Sequence, residues 1–356
     1  MGEPIEDREP RIARRRRMVA ASVLVVAAAA VVLVVVLASA GRSVHASHAT
    51  PAGLAQGTGA RASSPAKSAK APFAVGLRVL RLVDRTRTVS LPDGTRRPRT
   101  LVTYVRYPAL GKPEQTDLRN APVASAGAPF ALIVFGHGFA LTPAAYRRLL
   151  QSWARAGYVV AAPVFPLENA NAPGGPDESD LTNQPADMSL VISRLLAAST
   201  ARSGPLASAI DPHEVAVAGH SDGGDTALAI AYDPRYRDSR VAAAVVLSGA
   251  EMPGTPSFRF PPGGPPLLAT QGTADTINPP SASYQYFEAA HRPKFLLRLL
   301  GAEHLGPYSN EYPQLGIVER VTTAFLDAYV KRIAAARARI SAGGDVPRLA
   351  SLSSEP

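Results

Sequence analysis

The run Gly219-His220-Ser221-Asp222-Gly223 places a serine between two glycines. It follows an apolar segment, Val215 to Ala218, and precedes a helical pattern, so Ser221 lies at a predicted strand-to-helix junction. A turn this tight leaves space only for small neighbours and directs the hydroxyl and the first helix N–H groups towards the same space. The pattern therefore predicts a nucleophilic serine. A glycine-rich loop that only turns the chain or binds phosphate is the alternative.

A serine hydroxyl is a weak nucleophile at neutral pH and needs a base within hydrogen-bond reach. His304 is the preferred base because it stands just beyond the last predicted strand, Phe295 to Leu300, and downstream of the serine. A histidine of a surface loop is the alternative interpretation. The other histidines fit less well, because they lie in a linker, before or between elements or, for His220, beside the serine on the wrong side of the turn.

The imidazole of such a base must be held in one tautomer and stabilised as its cation, which requires a buried carboxylate. Asp275 follows the predicted strand Leu267 to Thr270 and is the preferred acid. Glu251 is the rival, since it follows the preceding predicted strand, although Ser248 stands directly after that strand. The chain order serine, acid, histidine is kept with either acid.

The tetrahedral oxyanion of an acyl transfer needs two N–H donors. One is predicted to be the backbone N–H of Asp222, the residue after the nucleophile. The other is assigned to the backbone N–H of Phe139 in the run Gly136-His137-Gly138-Phe139, which follows the first long apolar strand. The side chain of Phe139 can line an acyl pocket, and His137 is predicted to brace the loop. The carboxylates of Asp222 and Asp225 are expected to interact with the helix N-terminus.

The composition excludes several kinds of chemistry. The chain has no cysteine, so thiolate nucleophiles, disulfides and thiolate-held zinc are ruled out. The formal net charge is +10, but 10 basic and 4 acidic residues fall within the first 72 positions, so the remainder is only mildly basic. Because the chain shows no basic helix with interleaved aromatic residues, no nucleic-acid partner is expected.

The N-terminal region predicts a membrane segment. Four arginines, Arg14 to Arg17, precede an apolar run from Met18 to Ala38 that is long enough to span a bilayer. An uncleaved anchor is favoured over a signal peptide, although Ala38-Ser39-Ala40 resembles a cleavage site. Both interpretations hold the N-terminus inside and place the remaining chain outside the cytoplasmic membrane, because arginines flank the inner end.

The predicted domain organisation follows from these patterns and from the composition of the remaining chain. Its segments are a basic cytoplasmic N-terminus (1–17), a transmembrane anchor or signal segment (18–40), a disordered linker (41–72), a catalytic domain (73–340) and a disordered tail (341–356).

Within the catalytic domain, apolar runs alternate with helical patterns, which predicts an α/β fold with a mostly parallel, doubly wound sheet and helices on both faces. Val75 to Val89 and Thr100 to Tyr107 are expected to pair as an antiparallel hairpin at the sheet edge. A final helix is predicted over Val318 to Ile340. The long connection from Phe165 to Asp187 is predicted to cross the site as a loop, with a solvent-facing insertion as the alternative.

These residues resemble the dienelactone-hydrolase-like and platelet-activating-factor-acetylhydrolase-like branch of the α/β hydrolases, which is also similar to the cutinases and polyester-hydrolase lipases. The resemblance covers roughly Phe73 to Tyr329. The motifs that carry it are Gly136-His137-Gly138-Phe139, Gly219-His220-Ser221-Asp222-Gly223-Gly224, Gly272-Thr273-Ala274-Asp275 and Glu303-His304. The resemblance implies an α/β-hydrolase fold and ester hydrolysis without a cofactor or a metal. A dienelactone hydrolase proper uses a cysteine nucleophile, which this chain lacks.

Together, these observations predict a membrane-anchored carboxylic ester hydrolase of the esterase or lipase type, working outside the cytoplasm through an acyl-serine intermediate. The expected substrate is a small-molecule or lipid ester. Two alternatives stay open, an acyltransferase to a cell-envelope acceptor and a non-catalytic binding protein with the same fold. The oligomeric state is not predicted by the sequence.

Overall fold

A ten-stranded mixed sheet runs through residues 72–252 and 260–356, the parts of the chain that the computed structural model describes. Its strands are β1 (Ala74–Ser90), β2 (Arg96–Ala109), β3 (Leu118–Arg119), β4 (Phe130–Gly136), β5 (Tyr158–Val164), β6 (Ile210–His220), β7 (Val241–Leu247), β8 (Leu267–Gly272), β9 (Lys294–Leu299) and β10 (Ala350–Glu355). The helices in these ranges are α1 (Arg147–Arg155), α2 (Gln184–Thr200), α3 (Asp222–Tyr232), α4 (Pro280–Ala289), α5 (Gly306–Ser309), α6 (Gln314–Tyr329) and α7 (Ala336–Gly344). Two 3-10 helices are also present, Pro143–Tyr146 and Glu178–Asn183.

The centre of the sheet consists of six parallel strands in the order β9-β8-β7-β6-β4-β5. β2 pairs antiparallel with β5, and β1 pairs antiparallel with β2, which confirms the predicted hairpin. The carboxyl ends of the parallel strands meet at one end of the sheet, where loops from several strands converge. The predicted α/β class is therefore confirmed.

Helices cover both faces of the sheet, and each face has its own apolar core. One core contains Trp153 of α1 and Phe325 of α6, and the other contains Ile192 of α2. Neighbouring residues of β4, Leu132 and Ile133, are fully buried in different cores. This is expected because successive side chains of a strand point to opposite faces. Burial on both faces explains why the central strands are almost entirely apolar.

The C-terminal part differs from the prediction in two ways. The single helix predicted over Val318 to Ile340 is divided into α6 and α7, and Arg332 between them has a φ of 57°, which no continuous helix accommodates. The tail predicted to be disordered, 341–356, contains the end of α7 and all of β10. β10 pairs antiparallel with β9 and so satisfies backbone groups that an edge strand would expose.

Three predicted segments lie outside the described residues, namely the cytoplasmic N-terminus, the membrane segment and, apart from Pro72, the linker. In the described ranges, no helix combines the length and apolar character that crossing a bilayer requires.

A buried ion cluster connects the β1–β2 hairpin to the long connection that follows β5. The guanidinium of Arg99 on β2 contacts Asp180 at 2.7 Å and Asp187 at 2.6 Å, and all three side chains are at most 2% exposed. Arg87 on β1 contacts Asp187 at 2.8 Å and also bonds the backbone oxygen of Asn183 at 3.1 Å. Two carboxylates and two guanidiniums thus hold the 3-10 helix Glu178–Asn183 and the start of α2 against the hairpin.

Replacing Arg99 with alanine should lower the free energy of unfolding by about 3–5 kcal/mol, because it leaves two carboxylates buried without their main partner. Urea denaturation of the purified domain measures this loss. Arg81→Ala is the matched control, since Arg81 is an exposed arginine of β1 and its removal should change stability by less than about 0.5 kcal/mol. Equal effects of the two substitutions would contradict a structural role for the cluster.

Candidate active site

Ser221 occupies a sharp turn between β6 and α3. Its φ of 54° and ψ of −126° lie outside the regions that a non-glycine residue prefers. A Cβ atom on Gly219 would lie 1.9 Å from the carbonyl oxygen of Gly223, and one on Gly223 would lie 2.2 Å from that of Gly136. Neither position can therefore carry a side chain. The glycines of the sequence motif allow β4, β6 and α3 to approach closely enough for the turn to form.

Three predicted site residues, Ser221, His304 and Asp275, are joined by hydrogen bonds. His304 Nε2 lies 2.9 Å from Ser221 Oγ, and His304 Nδ1 lies 2.8 Å from Asp275 Oδ2. Because an ionised carboxylate can only accept, Nδ1 carries the ring proton and Nε2 accepts from the serine hydroxyl. Nδ1 of His304 is therefore bonded to Asp275 and not to Glu251, the rival acid.

Asp275 is held firmly in this position. Its Oδ1 accepts hydrogen bonds from the backbone N–H groups of Ile277 and Asn278, both at 2.9 Å, and Oδ2 also accepts one from Gln271 Nε2 at 3.1 Å. Burial by itself raises the pKa of this carboxyl. The hydrogen bond from His304, the charge of that ring and the two backbone donors outweigh burial, so the pKa of Asp275 is lowered. The carboxylate thus stays ionised and can stabilise a protonated His304.

The loop after β4 lies directly against the serine. A Cβ atom on Gly138 would be 3.0 Å from the Cβ of Ser221, so only glycine allows this approach without movement. The two predicted oxyanion donors are the backbone N–H groups of Phe139 and Asp222, and neither has an acceptor among the described residues. Each is consequently available to a ligand oxygen. The side chain of Phe139 is half-buried beside them.

His137 braces this loop. Its Nε2 accepts a hydrogen bond from the backbone N–H of Phe165 at 3.0 Å, so Nδ1 carries the proton and donates to the Gly138 carbonyl at 2.9 Å. Complete burial lowers the pKa of His137 to about 4, although the bond to Gly138 partly opposes this. The ring is therefore neutral near pH 7.

His220 makes a second brace that the sequence did not predict. Its Nε2 donates to the backbone oxygen of His304 at 2.8 Å, and its Nδ1 accepts from the Tyr146 hydroxyl, also at 2.8 Å. The Tyr146 oxygen in turn accepts the N–H of Gly138 at 3.1 Å. Burial, with a smaller contribution from His304, lowers the pKa of His220 to about 3. A neutral His220 thus links the loop after β4 to the loop that carries His304.

The first part of the connection after β5 borders the site. The Glu168 carbonyl accepts the Ala140 N–H at 2.9 Å, and the Leu141 carbonyl accepts the Ala170 N–H at 3.2 Å. This part packs on the loop after β4, as the interpretation of a loop over the site requires. In the described ranges, the site included, no three histidine, aspartate or glutamate side chains are arranged to hold a metal ion.

Comparison with solved structures gives 1011 matching chains. One is a ferulic acid esterase from Streptomyces cinnamoneus, with 19% sequence identity and a TM-score of 0.55, and the match covers 75% of this chain and 92% of that chain. The chain has an α/β-hydrolase fold. The fold that the resemblance implies is thereby confirmed, whereas the likeness to dienelactone hydrolases and platelet-activating-factor acetylhydrolases stays a prediction.

A sequence comparison gives a second match. The family model described as chlorophyllase matches residues 112–248 of this chain. That segment includes Phe139 and Ser221 but ends before Asp275 and His304. Because the match covers less than half of the chain, it is a similarity to that esterase family and not membership. No curated protein sequence matches the chain.

Proposed function

We propose that this α/β hydrolase cleaves carboxylic esters through an acyl-Ser221 intermediate. The observation that supports the proposal most is the continuous series of hydrogen bonds from Ser221 through His304 to Asp275, beside two N–H groups that have no acceptor in the described part of the chain. A non-catalytic protein would not need a serine in a strained backbone conformation that is hydrogen-bonded to a base and, through that base, to a buried acid. The similarity to two kinds of esterase supports the same reaction class.

In the first half of the proposed reaction, His304 Nε2 takes the hydroxyl proton as Ser221 Oγ attacks the ester carbonyl carbon. The carbonyl oxygen becomes an oxyanion that accepts hydrogen bonds from the N–H groups of Phe139 and Asp222, each worth about 3 kcal/mol in the transition state. When the intermediate collapses, the C–O bond to the alcohol breaks. The leaving alkoxide receives the proton from His304, and the acyl group remains on Ser221.

In the second half, water replaces the alcohol. His304 accepts a proton from water as its oxygen attacks the acyl carbon, and the same two N–H groups stabilise the second oxyanion. Collapse breaks the bond to Ser221 Oγ, which takes back the proton, and a carboxylic acid leaves. Asp275 remains a carboxylate throughout and stabilises the imidazolium of His304. An alcohol acceptor at the same step would give acyl transfer.

We further propose that the reaction takes place outside the cytoplasmic membrane, with the domain held by the apolar segment 18–40 or released after cleavage near Ala40. The four arginines before that segment support this orientation. A small-molecule or lipid ester is the proposed substrate, and the similarity to two kinds of esterase supports an ester substrate.

Fluorophosphonate labelling followed by peptide mass spectrometry tests the nucleophile, and a series of p-nitrophenyl esters of increasing acyl length tests the reaction. We expect a single label on Ser221, hydrolysis of at least the short esters, and loss of both after prior treatment with the inhibitor. Added alcohols separate hydrolysis from acyl transfer by the product formed. Hydrolysis that persists in fully labelled protein, or a label on another serine, would contradict the proposal.

A further inference from the structure

Glu168 is a fully buried carboxyl group that the proposed reaction does not use. It lies in the connection after β5, with an exposed fraction of 0%, and neither Oε1 nor Oε2 meets a hydrogen-bond donor in the described structure. The side chain of Asp222 is nearly as buried, at 3%, and its Oδ2 also lacks a donor. Buried polar atoms are rarely left unsatisfied, so these three oxygens require an explanation.

A hydrogen bond between the side chains of Glu168 and Asp222 and the negative charge of Asp222 both raise the pKa of Glu168. Two carboxylates can only accept and would repel, whereas a carboxylic acid beside a carboxylate forms a short, strong O–H···O bond. One proton on the pair would satisfy one oxygen of each carboxyl group, which is two of the three that lack a donor. Asp222 is the first residue of α3, where the helix N-terminus favours negative charge, so the proton belongs on Glu168.

The groups around Glu168 also favour a protonated side chain. The charged groups that raise the pKa of Glu168 are Asp222 on α3 and Asp180 and Glu178 on the 3-10 helix, and Glu168 in turn raises the pKa of the phenol of Tyr146. None of these is a cation, and Asp180 already shares the guanidinium of Arg99. Burial first, and then the negative charge and hydrogen bond of Asp222, raise the pKa of Glu168 well above its usual range.

Glu168 touches both sides of the proposed oxyanion hole. Its backbone oxygen holds the N–H of Ala140, the residue after Phe139, at 2.9 Å. Its side chain faces Asp222, whose backbone N–H is the other proposed donor. A bond between the two carboxyls therefore ties the loop after β4 to the start of α3 at the place where the two donors must converge.

We propose that Glu168 keeps its proton at neutral pH and donates it to Asp222, and that this bond positions the two backbone donors of the oxyanion hole. Glu168 is then a positioning residue, and this part of the proposal rests on the proposed function. Loss of the proton would leave two facing negative charges beside the place where negative charge develops during the reaction. The loop after β4 would move away from the start of α3, and the negative charge on Glu168 would oppose formation of the oxyanion.

The pH dependence follows from this arrangement. Above the ordinary pKa of a glutamate, the folded protein holds a proton on Glu168 that the unfolded chain releases, so stability falls as the pH rises towards the raised pKa. Activity is retained below that raised pKa and is lost as the pH rises through it. A glutamine at position 168 cannot ionise and can still donate an N–H to Asp222, so it should remove both effects.

The experiment compares wild type with Glu168→Gln, Glu168→Ala and Glu288→Gln in kcat for a p-nitrophenyl ester across the alkaline range. Glu168→Ala should lower kcat about tenfold, the loss expected for one buried hydrogen bond, and Glu168→Gln should recover most of it. The fall in kcat with rising pH should be weaker in Glu168→Gln than in wild type. The control, Glu288→Gln, removes an exposed acid of α4 and should keep the wild-type profile.

Thermal unfolding gives a second measurement that is independent of activity. The melting temperature of Glu168→Gln should rise relative to wild type as the pH increases from about 5 to about 8, because only wild type must keep a proton that its unfolded chain loses. A constant difference over this range would overturn the proposal even if the protein hydrolyses esters. A Ca²⁺- or Mg²⁺-dependent rise in wild type that Glu168→Gln abolishes would also overturn it, since the pair would then hold a cation. If the protein shows the expected thermal shift but hydrolyses no ester, the inference of a shared proton stands and only the proposed function is rejected.

Discussion

Replacing Ser221 with alanine is expected to lower kcat for a p-nitrophenyl ester by about 10⁶-fold, because the substitution removes the only atom proposed to attack the carbonyl carbon. Stability should change little, by about 1 kcal/mol or less, since a methyl group fits the same strained turn and a single hydrogen bond is lost. The rate of p-nitrophenolate release and the urea midpoint measure the two effects separately. Fluorophosphonate labelling should disappear in the same variant.

Ser309→Ala is the matched control, because Ser309 is a serine of α5, next in the chain after the loop that carries His304, and its hydroxyl bonds only to neighbouring residues. We expect kcat and labelling close to those of wild type. If Ser221→Ala retains more than about a hundredth of the wild-type rate, a different nucleophile or a directly attacking water must be considered.

The second large effect is expected at Asp275. Asparagine at this position would lower kcat by about 10⁴-fold, because its amide can donate to Nδ1 of His304 and would favour the tautomer with the proton on Nε2. That tautomer cannot accept the proton of Ser221. Glu251→Gln should leave kcat close to wild type, since it is Asp275 that lies 2.8 Å from the ring.

The pair of variants also decides between the two acids. If Glu251→Gln has the larger loss, the acid that supports His304 in the working enzyme is the one after β7, and the observed bond to Asp275 does not act in catalysis. Single-turnover kinetics with a slow ester would add a further check, because loss of the acid should slow both acylation and deacylation.

Much of the candidate site was predictable because its signals are local. The elbow at Ser221 depends on glycines within two residues of it, and Asp275 and His304 come shortly after the apolar strands β8 and β9. The carboxyl ends of parallel strands meet at one end of a sheet, so residues after separate strands can be placed together without knowledge of the loops. The same reasoning places Phe139, which follows β4, beside the serine.

The remaining features depend on contacts between residues far apart in the chain. The hydrogen bonds from Gly138 through Tyr146 and His220 to the His304 backbone join the loop after β4 to the loop that carries His304, and no spacing in the sequence encodes them. Glu168 lies in a connection rich in asparagine, proline and glycine that also contains other acidic residues, so the sequence does not distinguish it from them. Its burial becomes visible only when the connection is folded onto the start of α3.

The boundary at Ile340 was misplaced for a different reason. Composition indicates whether a segment can form a core by itself, and the serine-rich residues 341–356 cannot. β10 needs no core of its own, because the exposed backbone of β9 supplies the hydrogen bonds and the nearby core receives Leu349 and Leu352.

The pairing of β10 with β9 has a consequence for self-association. β9 is an apolar strand, and without β10 it would present a row of unpaired N–H and C=O groups to any neighbouring molecule. β10 covers that row with a strand whose sequence, Ala-Ser-Leu-Ser-Ser-Glu, is mostly polar and ends in a charge. A chain shortened at Ile340 should therefore expose a template for intermolecular strand addition, and we expect β10 to protect the protein from aggregation as well as extending its sheet.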